Sequence, residues 1–227
     1  MPLLLVTILP SVFIVIFFVV SDKFREPNWE IIKIFIFGLL ITIPAFFANF
    51  FLISFFSQNT SANWLLIGSF LVAAPVEEGL KFLVLFLVVY KMKHFNEPLD
   101  GMVYGLCVSL GFATLENVYY VYLSEFKETG PMTLAIVRSF TAVPAHGVFG
   151  AMMGYFFMKY SYINKKDNLF FCFFIPFLLH GFYNLFVGVN FFYAAILIIV
   201  AWIIALRLFS RLKKSQKSKR REYEKKI

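Results

Sequence analysis

The sequence has few charged residues and only two cysteines. Asp, Glu, Lys and Arg make up 15% of the 227 residues, whereas hydrophobic residues make up 60%. Soluble domains average about a quarter charged and about half apolar residues. The scarcity of charge excludes an ordinary soluble domain and predicts an integral membrane protein with several spans. Cys107 and Cys172 both lie in apolar stretches, so we expect two small buried hydrophobic residues and no disulfide framework.

The positive charge of the chain is confined to its end. The formal net charge is +8, and the segment from Arg207 to Ile227 contains ten Lys or Arg and two Glu, so it holds the whole excess. A basic segment directly after a membrane span is first a topology determinant and second a contact for anionic lipid head groups. We therefore predict contact with the bilayer and with anionic lipids at this tail, and no nucleic-acid partner.

Seven apolar stretches are each near or above the length needed to cross a bilayer. They are residues 3–20, 30–56, 64–90, 101–123, 133–159, 169–188 and 190–209. The connections are short and polar, which predicts an all-α, polytopic transmembrane helix bundle of about seven spans, with eight as the alternative. No positively charged leader precedes the first stretch, so we expect it to be a retained span. The predicted organisation is one membrane-embedded domain over residues 1–209 and a basic cytoplasmic tail over residues 210–227.

The loops alternate in positive charge. Lys and Arg follow the first, third, fifth and seventh stretches, whereas the other loops contain almost none. By the positive-inside rule, the C-terminus is expected in the cytoplasm and, with seven spans, the N-terminus outside.

Three ionisable residues lie in the middle of the third stretch: Glu77, Glu78 and Lys81. Charge inside a span is energetically expensive and usually marks a functional site. Lys81 lies four residues after Glu77 and three after Glu78, so on a helix it can neighbour either carboxylate. The alternative is an ion pair that only holds this helix against a neighbour. In either case one negative charge needs another partner.

Later stretches contain further polar side chains at comparable depth. Glu116 lies in the fourth stretch, His146 in the fifth, and His180 and Asn184 in the sixth, one helical turn apart on one face. Arg138 could pair with Glu116 or be a structural cation. Each residue alone could have a structural role, but their convergence on successive spans predicts a polar pocket within the membrane.

Two functions that involve no catalysis fit such a pocket. A proton-coupled transporter also places ionisable residues in its spans, but the sequence shows no internal repeat. A non-catalytic membrane scaffold would need close helix packing but no pair of adjacent glutamates. A zinc-protease HExxH pattern is absent, and no Ser–His–Asp order is compelling.

Four motifs in order on separate stretches carry a family resemblance. They are Glu77-Glu78-Gly79-Leu80-Lys81, Phe112-Ala113-Thr114-Leu115-Glu116, His146 with Gly150, and His180-Gly181-Phe182-Tyr183. This pattern resembles the PrsW-type intramembrane proteases, relatives of the CAAX-processing and bacteriocin-processing membrane endopeptidases. Asn184 stands where the family commonly has aspartate, so we expect an orienting or oxyanion-side role there and no essential acid.

The resemblance implies a membrane-embedded protease domain in the cytoplasmic membrane of a bacterium. It implies hydrolysis of a peptide bond in a membrane-anchored protein, such as the first cut in a single-span anti-sigma factor. The predicted catalytic residues are Glu77, Glu78, Glu116, His146 and His180, and the supporting residues are Lys81, Phe112 and Asn184.

The expected chemistry is general-base activation of water by Glu77 or Glu78, with His180 as the partner. Lys81 would keep one glutamate ionised so that the other can accept a proton. No cofactor is favoured, but zinc is the close alternative, because Glu and His from several helices can leave an open water position. The ligands would then be Glu78, Glu116, His146 and His180.

Overall fold

The computed structural model describes residues 1–59, 63–123, 130–163 and 166–224, except the side chains of Asn59 and of residues 217–224. Within these ranges all regular structure is helical and no strand occurs. The prediction of an all-α fold is therefore confirmed.

The described residues form nine α-helices joined by short connections. The helices are α1 (Pro2–Ser21), α2 (Asn28–Asn59), α3 (Trp64–Ile67), α4 (Ala74–Leu87), α5 (Pro98–Tyr122), α6 (Pro131–Phe140), α7 (Ala142–Ile163), α8 (Asp167–Val189) and α9 (Phe191–Glu224). A π-helical segment, Gly68–Ala73, joins α3 to α4, and a 3₁₀ turn, Val89–Lys91, follows α4.

Six helical segments in the described ranges are long and apolar enough to cross a membrane. They are Pro2–Ser21, Asn28–Gln58, Pro98–Tyr122, Pro131–Ile163, Asp167–Val189 and Phe191–Gln216. These six coincide with six of the seven stretches expected from the sequence.

The third predicted stretch, residues 64–90, is helical but divided. The N–H of Ala74 donates to the carbonyl oxygen of Ser69, five residues earlier, so the helix is widened here. Pro75 follows at once and has no N–H to continue the α-helical pattern. Such π segments frequently occur at functional sites. Glu77 and Glu78 lie in the turn that begins directly after this one.

The fifth predicted stretch is divided in a similar way. Thr141 separates α6 from α7. Pro144 lacks the N–H that would bond to the carbonyl of Phe140, and its ring crowds that carbonyl. The break therefore has a local cause in the sequence, and Arg138 is left in the last turn of α6.

Helix α5 lies at the centre of the bundle and is almost completely enclosed, mainly by α7, α2 and α1. Glycines allow the backbones of α5 and α7 to touch. A Cβ atom at Gly105 would overlap the carbonyl oxygen of Gly150, and one at Gly154 would overlap that of Gly101. This close approach fixes the register of α7 on α5. Cys107 and Cys172 are both free and buried, as expected.

Helix α9 continues without interruption past residue 209, the predicted end of the membrane domain. The side-chain nitrogen of Gln216 donates to Asp22 Oδ1 at 2.9 Å and to Glu97 Oε2 at 2.7 Å. Beside them, the Tyr104 hydroxyl donates to Glu26 Oε2 at 2.9 Å. Burial raises the pKa of Glu26, because the charged carboxylate loses hydration there. The beginning of the tail is thus packed onto the bundle, whereas residues 225–227 lie outside the described residues.

The contact between α5 and α7 generates a first prediction. We expect Gly105→Ala to lower the free energy of unfolding by about 1–3 kcal/mol, because its methyl group would meet backbone that cannot rotate away. Gly68→Ala is the matched control, since no atom lies within 4 Å of a Cβ built there. Thermal unfolding in detergent measures both variants. Equal transition temperatures for Gly105→Ala and Gly68→Ala would contradict the proposed packing.

Candidate active site

A fully buried ion pair lies at the centre of the polar cluster. Lys81 Nζ is 2.7 Å from Glu78 Oε1 and 3.0 Å from His146 Nδ1. It also lies 4.4 Å from the centroid of the Phe112 ring, a cation–π contact. An ammonium group can only donate, so His146 Nδ1 accepts and the ring proton of His146 resides on Nε2. Of the two carboxylates expected beside Lys81, Glu78 is the one that pairs with it.

His146 connects this pair to α5 and α6. Its Nε2 donates to Glu116 Oε2 at 3.0 Å, and Arg138 Nη2 donates to the same oxygen at 2.7 Å. Arg138 Nε also donates to Asn117 Oδ1 at 2.7 Å. Of the two roles left open for Arg138 by the sequence, pairing with Glu116 is the one that the structure shows. Glu116 thereby orients the imidazole of His146 and is itself held by a cation.

His180, on α8, lies between the two adjacent glutamates. Its Nδ1 is 2.8 Å from Glu78 Oε1, and its Nε2 is 3.8 Å from Glu77 Oε2. Because an ionised Glu78 can only accept, Nδ1 carries the ring proton and Nε2 presents a lone pair. The ring of Phe149 stacks on the imidazole at a centroid distance of 5.2 Å and holds its plane.

Glu77 has the least satisfied carboxylate of the cluster. Its Oε1 accepts from the Asn49 side-chain nitrogen at 3.2 Å. Its Oε2 is buried and has no hydrogen-bond partner among the described residues. Two acceptor atoms, Glu77 Oε2 and His180 Nε2, therefore face each other without a donor between them. Such an arrangement suits a water molecule, a proton or a cation.

The donor atoms also fit a metal ion. In the described part of the chain, Glu77, His146 and His180 can each present one ligand atom, and these atoms all lie within 4.8 Å of one another. One carboxylate and two imidazoles are a typical zinc ligand set. Glu78 behind His180 Nδ1 resembles the outer carboxylate that commonly orients a zinc-bound histidine.

This set differs from the predicted ligands in its carboxylate. Neither Glu78 nor Glu116 belongs to the group of three, and each of them is already paired with a cation, Glu78 with Lys81 and Glu116 with Arg138. Both predicted histidines do belong to it.

Asn184 is half-buried on α8, one turn after His180, and makes no hydrogen bond to a described side chain, so its orienting role stays a prediction. Asn49 contacts Glu77 but was not among the predicted residues. The sequence does give one indication that Asn49 has a role, because it is the one polar residue in the apolar run 43–53 of α2.

An enclosed cluster of carboxylates and histidines within apolar helices is typical of a functional site inside the membrane. A family model described as "PrsW family intramembrane metalloprotease" matches residues 26–209. The chain belongs to the PrsW family of intramembrane proteases, and it is a peptidase. No solved structure matches the chain.

Curated relatives support the same assignment. "Protease PrsW" of Oceanobacillus iheyensis is 34% identical over 209 residues, covering 90% of this chain and 93% of the relative. That of Clostridioides difficile is 35% identical over 193 residues, covering 83% and 80%. That of Geobacillus kaustophilus is 36% identical over 178 residues, covering 77% and 75%. The family and the six apolar helices fit a multi-pass membrane protein of bacteria.

The buried ion pair generates a second prediction. We expect Lys81→Met to lower the free energy of unfolding by about 3–5 kcal/mol, because it leaves the Glu78 carboxylate charged, buried and unpaired. The double variant Glu78→Gln/Lys81→Met should recover much of that loss, since no lone charge remains. Chemical or thermal unfolding in detergent provides the measurement.

The control for this experiment is Lys33→Met. Lys33 also pairs with a glutamate three residues away, Glu30, at 3.3 Å, but its side chain is 39% exposed. Glu30 is buried but keeps a second partner, His94 Nδ1 at 3.4 Å, and a pair with an exposed lysine contributes about 0–1 kcal/mol, so the control should lose little stability. If Lys81→Met were as stable as Lys33→Met, the central role of the ion pair would be wrong.

Proposed function

We propose that Glu77 is the general base that activates water for hydrolysis of a peptide bond in a membrane-anchored protein. One observation supports this choice above others: Glu77 Oε2 is buried without a partner and lies 3.8 Å from His180 Nε2. A water molecule between the two atoms can donate one O–H to each. Glu78 Oε2 is also buried without a partner among the described residues, but Glu78 is a poor candidate for the base, because Lys81 compensates its charge and its Oε1 already accepts from Lys81 and His180.

Glu77 and Glu78 have different roles in the proposed reaction. Glu77 takes a proton from the water while the water oxygen forms a bond to the scissile carbonyl carbon. The same carboxylic acid returns the proton to the nitrogen as the carbon–nitrogen bond breaks, so that an acid and an amine are released. Glu78 holds His180 in the tautomer whose Nε2 orients the water.

A zinc-dependent version is the second candidate, and the group Glu77, His146 and His180 favours it, as does the printed description of the family. When bound, the ion would supply Lewis-acid polarisation of water and of the carbonyl oxygen. His146 has both ring nitrogens in hydrogen bonds, to Lys81 and to Glu116, so holding the ion would require one of these bonds to be given up.

We further propose a single-span substrate of the anti-sigma-factor type, on the basis of the family resemblance of the four motifs.

The proposed topology has seven spans, with residues 64–87 as the divided one, the N-terminus outside and the C-terminus in the cytoplasm. Contact of the tail with anionic lipids is supported by a surface hollow of about 330 Å³ on α9, whose lining includes Arg207, Arg211 and Lys214.

The third prediction tests the base. With a single-span reporter substrate in proteoliposomes, Glu77→Gln should lower kcat by about 10²–10⁴-fold, because the amide cannot accept the proton. His180→Ala should also lower kcat. Glu30→Gln makes the same chemical change at another buried glutamate that lies outside the cluster, and it should keep wild-type activity. Undiminished cleavage by Glu77→Gln would overturn the proposed role.

The fourth prediction separates the metal-free and zinc-dependent versions. If no metal takes part, activity persists after incubation with a strong zinc chelator, and purified wild type contains no more zinc by mass spectrometry than His180→Ala. Loss of activity that added zinc restores, together with zinc content lost in His180→Ala, would instead establish the zinc-dependent version.

A further inference from the structure

Helix α2 brings one polar side chain to the cluster, and it reaches the proposed base. Asn49 donates to Glu77 Oε1 at 3.2 Å. We propose that Asn49 is a positioning residue that engages one carboxylate oxygen of Glu77 and so directs the other, Oε2, towards the attacking water. The inference rests on the proposed function of Glu77 as the base.

The contacts of α2 with α5 fix the position of Asn49. Gly38, Thr42 and Asn49 are spaced four and seven residues apart, so they share one face of the helix. A Cβ atom at Gly38 would overlap the carbonyl oxygen of Val108, and Thr42 Oγ1 donates to the carbonyl oxygen of Phe112 at 3.3 Å. The two helices are therefore in backbone contact two turns before Asn49, which limits how far its amide can move from Glu77.

Stability alone does not explain an asparagine at this position. Its Oδ1 is buried and has no hydrogen-bond partner among the described residues. An unsatisfied buried polar atom costs about 1–3 kcal/mol, which offsets the gain from the hydrogen bond that Asn49 donates to Glu77. A polar side chain inside apolar helices that brings little net stability indicates a functional role.

The charge of Glu77 decides which way the amide points. If Oδ1 faced the carboxylate, two acceptors would be in contact, so the nitrogen must be the atom that faces Glu77 Oε1. The donated hydrogen bond occupies Oε1 and leaves Oε2 opposite His180 Nε2, at 3.8 Å. Asn49 therefore selects which of the two carboxylate oxygens is available for proton transfer.

The fifth prediction uses three substitutions of this residue and the reporter assay. Asn49→Ala should lower kcat by about tenfold or more with little change in KM, the scale known for partners that orient an active-site group. Asn49→Asp keeps the shape but repels Glu77 when ionised, so it should lower kcat at least as much. Asn49→Gln keeps the donor and should recover part of kcat. Because Asn49→Ala also leaves Glu77 Oε1 without its donor, thermal unfolding is measured for each variant and kcat is expressed per folded enzyme.

Comparison with two other variants, Ser57→Ala and Glu77→Gln, decides between the outcomes. Ser57→Ala removes an exposed hydroxyl from the same helix and should cleave at the wild-type rate. If Asn49→Ala cleaves like Ser57→Ala while Glu77→Gln is inactive, the inference about Asn49 is wrong and the proposed function stands. If Asn49→Ala loses activity only in proportion to lost folded protein, the positioning role is also wrong. An active Glu77→Gln would remove the proposed function and this inference with it.

Discussion

The buried contact between Glu78 and Lys81 determines the state of every other group in the site. Two charges in an apolar interior lose their hydration, and only good geometry and further hydrogen bonds offset that loss. Here Lys81 also donates to His146 Nδ1, and Glu78 Oε1 also accepts from His180 Nδ1. The pair therefore sets the tautomers of both histidines. Without it, Glu116 and Phe149 would still hold the two rings, but nothing on the Nδ1 side would select which nitrogen carries the proton.

Close backbone packing is the second condition for the site, because the polar groups come from different helices. His146 on α7 reaches Glu116 on α5 only because glycines allow these two helices to touch. The hydroxyl of Ser109 on α5 donates to the carbonyl of His146 at 2.6 Å, which further fixes this turn of α7. The break at Thr141 then lets Arg138 come from α6 to the same carboxylate.

The sequence alone predicted the helical fold and most of the cluster, because polar residues inside long apolar runs are expensive wherever they occur. It could not decide whether Lys81 pairs with Glu77 or Glu78, since spacings of three and four both give neighbours on a helix. It also missed Asn49. Contacts within a helix follow from spacing, whereas contacts between helices depend on packing that no local motif records. The π segment before α4 could not be predicted for the same reason. Pro75 indicates that the α-helical hydrogen bonds are interrupted, but not that the interruption is a π-helical turn.

The charges of the described cluster explain why Glu77 differs from its neighbour. The cluster contains three carboxylates, Glu77, Glu78 and Glu116, and two permanent cations, Lys81 and Arg138. With neutral histidines, Lys81 compensates Glu78 and Arg138 compensates Glu116. One negative charge remains, and it resides on Glu77, whose only hydrogen-bond donor among the described side chains is a neutral amide. A group in this state attracts whatever positive charge can reach it. In the proposed mechanism that charge is a proton taken from water, and in its zinc-dependent version it would be the metal ion, so both versions place the chemistry at Glu77 and not at Glu78.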